Sequence, residues 1–80
     1  MSATFRADDE GMTVVFESAT AIEEVDLFEI ENAGWHVRVE FNCSTMPKDE
    51  WEITYIQIHD NLTAALHNWA QIIASKTIND

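Results

Sequence analysis

Basic residues are the scarcest class of charged residue in this sequence. Four lysines and arginines stand against 15 aspartates and glutamates, and the formal net charge is -11 over 80 residues. Residues 7–37 hold nine acids and no lysine or arginine. Such a charge distribution repels nucleic acid and anionic membranes and attracts cationic surfaces. We therefore expect no direct binding to nucleic acid or membrane, and a positively charged protein surface as the partner.

Cysteine, glycine and long apolar runs are also rare. The single Cys43 cannot form an internal disulfide, so nothing indicates an oxidising compartment. Two glycines are too few for a glycine-rich phosphate-binding loop. No apolar run approaches the ~18 residues of a transmembrane helix. The first ten residues carry three acids, unlike a signal peptide. We expect a soluble cytoplasmic protein.

Apolar residues are nevertheless present in the amount that a folded domain needs. The chain is 46% hydrophobic and contains three tryptophans and four phenylalanines. Acidic segments that stay disordered lack this content. We predict one compact acidic domain spanning residues 1–80.

The N-terminal residues predict a β-hairpin. Apolar residues alternate with polar ones over 12–17, and Phe5 marks a partner strand at 3–7. The acidic turn at 8–11 lies between them. Gly11 is free to adopt a positive φ at the end of this turn.

Residues 18–31 are compatible with two structures. Apolar residues recur there at helical spacing, which predicts a short helix near 19–27. The second half alternates as a strand does and runs into a three-residue loop at 32–34, with Gly34 in the left-handed position. We favour a turn or short helix at first and then a strand at 26–31.

The C-terminal half predicts two strands and a helix. Residues 35–41 alternate between an apolar and a polar face, as a strand does when one side is buried. After a loop at 42–50, the strand at 51–59 is apolar on both faces, which predicts a place inside the sheet or under the helix. A helix at 61–75, capped by Asp60 or Asn61, carries one apolar stripe. The stripe consists of Leu62, Ala65, Leu66, Trp69, Ile72 and Ile73.

These elements together predict an α+β fold. We expect an antiparallel sheet of four to five strands with one long C-terminal helix packed on one face. Trp35, Phe41 and Trp69 are expected in the core between them.

The acid-rich segment supplies the candidate partner-binding residues. Alternate residues of a strand lie about 6.8 Å apart on one face, a spacing of the same order as that of backbone phosphates. Glu29 and Glu31 meet this condition if both lie in a strand. Rows of carboxylates can occupy Lys/Arg grooves built for nucleic acid. The candidates are Glu23, Glu24, Asp26, Glu29 and Glu31, with Asp8, Asp9 and Glu10 as a second patch. The core-forming strand at 35–41 and helix at 61–75 lie outside this segment, so we expect it to be needed less for folding than for binding a partner.

Residues for catalysis or metal binding do not form a recognised pattern. His36, His59 and His67 lack metal-ligand spacing, and nothing beside Cys43 would acidify its thiol. No acid has the obviously apolar setting that general acid catalysis requires. We expect no enzyme activity, no cofactor and no metal.

The sequence is most typical of a small acidic protein-binding inhibitor. In size, charge and lack of catalytic motifs it resembles phage-encoded antagonists of restriction or CRISPR systems, and that resemblance implies a nucleic-acid mimic occupying a basic groove. It rests on no family motif and assigns no residue roles. One alternative is an immunity or antitoxin protein that neutralises a basic nuclease. Another is an acidic halophilic or structural domain with no inhibitory role.

Overall fold

A computed structural model of the chain describes residues 2–43, 47 and 50–78, with side chains through Lys76. Five strands precede one helix: β1 (Ser2–Ala7), β2 (Gly11–Glu17), β3 (Ile22–Ile30), β4 (Gly34–Asn42), β5 (Glu52–His59) and α1 (Leu62–Ile78). The strands form one antiparallel sheet in chain order, and α1 packs against one face. The α+β prediction is confirmed. Much of the loop predicted at 42–50 lies outside the described residues.

The core lies between α1 and the face of the sheet that α1 covers. Alternation along the strands directs every second side chain to that face, so Val14, Val25 and Val39 meet in register across three strands. The buried apolar residues are Val14, Phe16, Val25, Leu27, Val37, Val39, Ala65 and Trp69. The expectation for Trp69 is confirmed, whereas Trp35 and Phe41 are half-buried.

Trp69 fixes the helix to the sheet. Its indole Nε1 donates a hydrogen bond to the backbone oxygen of Val25 over 3.0 Å. Its ring and that of Phe5 pack edge to face, with their centroids 6.3 Å apart. At the last of its described side chains, α1 forms an ion pair between Lys76 and Glu23 of β3. The N-terminus of α1 is capped by Asn61, whose side-chain oxygen accepts the N–H of Ala64 at 2.9 Å.

The structure corrects the prediction of a short helix near 19–27: a turn, in which the N–H of Ser18 donates to the oxygen of Ala21 at 2.9 Å, leads directly into a strand that was predicted to begin at 26. Strand β3 begins at Ile22, and it lies in the middle of the sheet with a partner on each side. Val25 and Leu27 are fully buried beneath α1. Burial of this alternating pair outweighs the weak helical spacing, because tertiary packing overrides local propensity. The acid-rich segment therefore supplies core residues, and the expectation that the core-forming elements lie outside it is wrong.

Of the two places predicted for β5, inside the sheet or under the helix, the first is wrong. Among the described strands it pairs with β4 alone and forms an edge. One face of β5 lies toward α1, where the Tyr55 hydroxyl donates to Asn68. The other face is uncovered, so Ile53, Ile56 and Ile58 are each more than half exposed.

The two glycines serve different purposes. Gly34 adopts φ 87° in the β3–β4 turn, as predicted, beside Asn32 at φ 64°. Gly11 was predicted to be free to adopt a positive φ, and it does not adopt one. A Cβ at Gly11 would lie 1.9 Å from the backbone oxygen of Leu27, so the residue is needed for the close approach of β2 to β3.

Candidate interaction site

Two acidic turns lie at the same end of the sheet. In an antiparallel sheet that follows chain order, alternate turns share an end, so the β1–β2 turn lies beside the β3–β4 turn. The first turn contributes Asp9 and Glu10, and the second contributes Glu31. Glu29, near the end of β3, completes a group that we call the acidic end: Asp9, Glu10, Glu29 and Glu31. These four residues line a depression of about 560 Å³ together with Asn32 and Trp35.

The carboxylates of the acidic end are exposed to solvent. Within the described part of the chain, no lysine or arginine forms an ion pair with any of them. The described ion pairs instead use Arg38 and Lys76 on acids elsewhere in the sheet. The acidic end is therefore a concentration of negative charge available to an external cation.

Asp8 holds the first turn in shape. Its Oδ1 accepts hydrogen bonds from the backbone N–H groups of Glu10 at 2.8 Å and Gly11 at 3.1 Å. The backbone N–H of Asp8 in turn donates to the oxygen of Gly11 at 2.9 Å. This is the side-chain-to-backbone pattern that makes Asp frequent in turns. Asp8 thus positions the acidic end more than it adds to its free charge.

Trp35 places an aromatic surface among the carboxylates. It is the second residue of β4 and lies opposite Glu29 in the β3–β4 register. Its ring packs against the edge of the core but remains partly exposed. The exposed part of a half-buried tryptophan provides the kind of apolar contact that often dominates binding energy at protein interfaces.

The remaining predicted acids lie elsewhere. Glu23 is on the helix-covered face, in its ion pair with Lys76. Glu24 and Asp26 are on the opposite, uncovered face, where Asp26 is buried. Glu31 lies in a turn, so the strand spacing predicted for Glu29 and Glu31 is not observed. The structure therefore brings together residues of the two predicted patches and separates Glu23, Glu24 and Asp26 from the other members of the first.

A group of three carboxylates lies on the uncovered face of the sheet. Ligand oxygens of Glu24, Asp26 and Glu40 lie within 4.8 Å of one another. Arg38 bridges two of them: its Nη2 is 3.3 Å from Asp26 Oδ2 and 3.2 Å from Glu40 Oε1. Oxygens in this arrangement suit a hard cation such as Ca²⁺, but the Arg38 guanidinium already lies against them. The three carboxylates and Arg38 therefore form an ion-pair cluster.

Burial raises the pKa of Asp26 above its ordinary value. A hydrogen bond from Thr13 Oγ1 at 2.9 Å and the charge of Arg38 oppose that shift, whereas the neighbouring Glu24 and Glu40 reinforce it. Sequence reasoning missed Glu40, because its proximity to Asp26 depends on the β3–β4 register. The presence of Arg38 and Glu40 two positions apart on the polar face of β4 was the sequence feature that could have indicated this cluster.

Arg38 also packs on an aromatic pair. Its guanidinium lies 4.7 Å from the centroid of Phe28, and the Phe28 ring stacks on His36 at 5.2 Å. An open groove of about 610 Å³ runs along this face and includes Arg6, Arg38 and the acidic-end residues Glu10 and Glu29. Because this groove contains both signs of charge, it is less selective for cations than the acidic end.

No protein-family model, curated protein or solved structure matches this chain. Among the described residues, no helix is long and apolar enough to cross a membrane.

Proposed function

We propose that this protein is an inhibitor that binds a positively charged protein surface, with its acidic end occupying a groove that otherwise holds nucleic acid. The observation that carries the proposal is the convergence of Asp9, Glu10, Glu29 and Glu31 around the half-buried Trp35. Under this proposal the protein acts in the cytoplasm, together with the nucleic-acid-binding protein that it inhibits.

Charge and position both support this role. The acidic end joins carboxylates that are about 20 positions apart in sequence, and two hairpin turns hold them at one end of the sheet. Carboxylates held in this way can replace phosphates as partners for lysine and arginine. Because the turns are already ordered by Asp8 and Gly34, binding requires little further loss of chain entropy.

The Trp35 ring adds a contribution to binding that does not depend on charge. Long-range attraction between opposite charges speeds association but weakens with salt, whereas apolar contact at Trp35 is insensitive to screening. We therefore expect association to be fast and salt-dependent, with a residual salt-independent component from the ring.

A competition assay tests the proposal. The probe is a fluorescently labelled DNA duplex bound to the heparin-retained protein fraction of a bacterial lysate, and the readout is the anisotropy of the DNA. We expect the purified protein to displace DNA from part of this fraction at low salt and to become less effective as salt increases. Absence of displacement at any protein concentration would refute the proposal.

The alternatives give different outcomes in related measurements. A halophilic domain without an inhibitory role would displace no DNA and would unfold reversibly at low salt. A protein that neutralises one particular nuclease would leave the bulk of the DNA bound but would suppress a single nuclease activity in the same fraction.

A further inference from the structure

Strand β5 is an edge whose outer side is open. It has eight residues, and among the described strands only β4 is hydrogen-bonded to it. The opposite row of backbone N–H and C=O groups is therefore a template for another strand. On the uncovered face Ile53, Ile56 and Ile58 are 53, 52 and 55% exposed, which is unusual for three isoleucines of one strand.

Strand β5 has few of the features that usually protect an edge strand from pairing with another chain. Natural edges carry lysine, proline, a bulge or an inward-pointing charge. Residues 52–59 contain neither lysine nor proline. The register of β4 with β5 shifts between Val39 and Glu40, but it is regular from Tyr55 to His59. That regular segment includes two of the exposed isoleucines.

Charge identifies the occupant of this edge. Of the 15 acids in the chain, only Glu52 belongs to β5, and it is the first residue of the strand. A cationic partner would be drawn to the acidic end and gains nothing from this edge. A second copy of the chain, by contrast, meets little of the negative charge that opposes self-association elsewhere on the molecule.

We propose that two copies of this chain form a dimer by antiparallel pairing of their β5 strands about a two-fold axis near Gln57. Such an interface is symmetric, so each contact occurs twice. Ile56 then lies beside the partner subunit's Ile58 on the uncovered face, and the two sheets become one of ten strands. Helix α1 lies mainly over β3 and β4, which leaves space beside β5 for the second copy.

The mass of the full-length protein in solution tests this proposal. Light scattering after size exclusion should give about twice the 9.1 kDa chain mass for the parent protein. Ile56→Lys should give the monomer mass at the same concentration, because a lysine protects an edge strand. This variant and its control, Ile30→Lys, each make the net charge less negative by one unit. Charge repulsion therefore cannot explain a loss of the dimer.

Ile30→Lys is the matched control. Ile30 is similarly exposed, at 47%, and lies on the same face of the sheet but away from β5. This variant should remain dimeric. Circular dichroism verifies the fold of each variant, and Ile58→Lys replaces Ile56→Lys if the latter fails to fold. A monomeric parent, a species larger than a dimer, persistence of the dimer in both β5 variants, or dissociation of the control would each overturn the proposal.

Salt separates this dimer from the inhibitor function. Added salt screens repulsion between two chains of net charge -11, so the dimer should tighten as salt increases. Binding of the acidic end to a cationic surface should weaken under the same change. A dimer that dissociates with rising salt would overturn the β5 interface without bearing on the inhibitor proposal.

Discussion

Replacement of Arg38 by methionine isolates the energetic role of the ion-pair cluster on the uncovered face. Arg38 is the described cation that lies against Asp26 and Glu40, with N–O distances of 3.3 and 3.2 Å. Methionine keeps most of the apolar contact with Phe28 but removes the charge. The substitution therefore leaves buried carboxylates close together with less compensation.

The magnitude follows from the distances. At an effective dielectric constant of 20, a unit pair at 3.3 Å interacts by about 5 kcal/mol. The Arg38 side chain is 31% exposed, so water recovers part of this energy when the pair is broken. Loss of the cation–π contact with Phe28 adds about 0.5–1 kcal/mol. We expect Arg38→Met to reduce the free energy of unfolding by roughly 2–3 kcal/mol at pH 7.

The loss should be smaller at acidic pH. Burial already raises the pKa of Asp26, and removal of Arg38 raises it further, since the arginine charge lowers it. A folded-state pKa above the unfolded value means that the native state binds the proton more tightly. The resulting contribution to stability is complete below the unfolded pKa and is lost as pH rises through the folded pKa. The difference between variant and parent should therefore shrink as pH falls from 7 toward 4.

Urea denaturation followed by tryptophan fluorescence at pH 7 and near pH 4 measures both effects. Arg6→Met is the matched control, because it changes the net charge by the same unit at an exposed position in β1. We expect the control to lose less than about 0.5 kcal/mol. Equal losses in the two variants, or a loss for Arg38→Met that does not decrease at low pH, would refute the reasoning.

Two further substitutions test the fold around the site. Trp69→Phe removes the hydrogen bond to the oxygen of Val25 and part of the core volume, and we expect a loss of about 1–3 kcal/mol by urea denaturation; a loss below 0.5 kcal/mol would contradict the role given to the indole. Gly11→Ala places a Cβ against the backbone oxygen of Leu27, so β2 and β3 must separate. We expect a lower thermal midpoint and faster amide exchange at the start of β2, and unchanged exchange there would contradict the close approach.

The sequence predicted the elements whose pattern is simple. Strand β4 alternates cleanly between two faces, and α1 buries Ala65 and Trp69 of its predicted stripe, although Leu62 and Leu66 are exposed. Of the two predicted caps, Asn61 is the one observed. Two apolar patterns that each require a partner layer are enough to predict a sheet covered by a helix. The left-handed Gly34 was predictable because only a few turn types join strands across three residues.

The central strand and the edge were harder to predict. In β3 the alternation of Val25 and Leu27 is flanked by acids that also fit the first turns of a helix, so local signals conflict. In β5 apolar residues on both faces indicated burial, but residues 52–58 are exposed, including Tyr55 on the side that lies toward α1. Periodicity shows that a residue is apolar, and it does not show whether a partner layer exists on that side.

The site depended on topology more than on sequence spacing. Acids about 20 positions apart meet at the acidic end because the first and third turns lie at the same end of the sheet. Neighbours along the chain, such as Glu23 and Glu24, instead point to opposite faces and enter different surroundings. Sequence identified the correct class of residue, and the register decided which of them can face a partner.

The central claim is that the position of the acids matters, beyond their number. Two triple variants compare this directly: lysine replaces Asp9, Glu29 and Glu31 at the acidic end, or Glu17, Glu50 and Glu52 at the opposite end of the sheet. Each substitution adds two units of charge, so both variants have a net charge of -11 + 6 = -5. The measurement is the protein concentration at which half of the labelled DNA is displaced from the heparin-retained fraction.

We expect the acidic-end variant to require at least about tenfold more protein than the opposite-end variant, a difference of ~1.4 kcal/mol in binding. The opposite-end variant should stay close to the parent, apart from a general loss through reduced net charge. If the two variants displace DNA equally well, bulk charge accounts for the activity, and the acidic end is not the binding site.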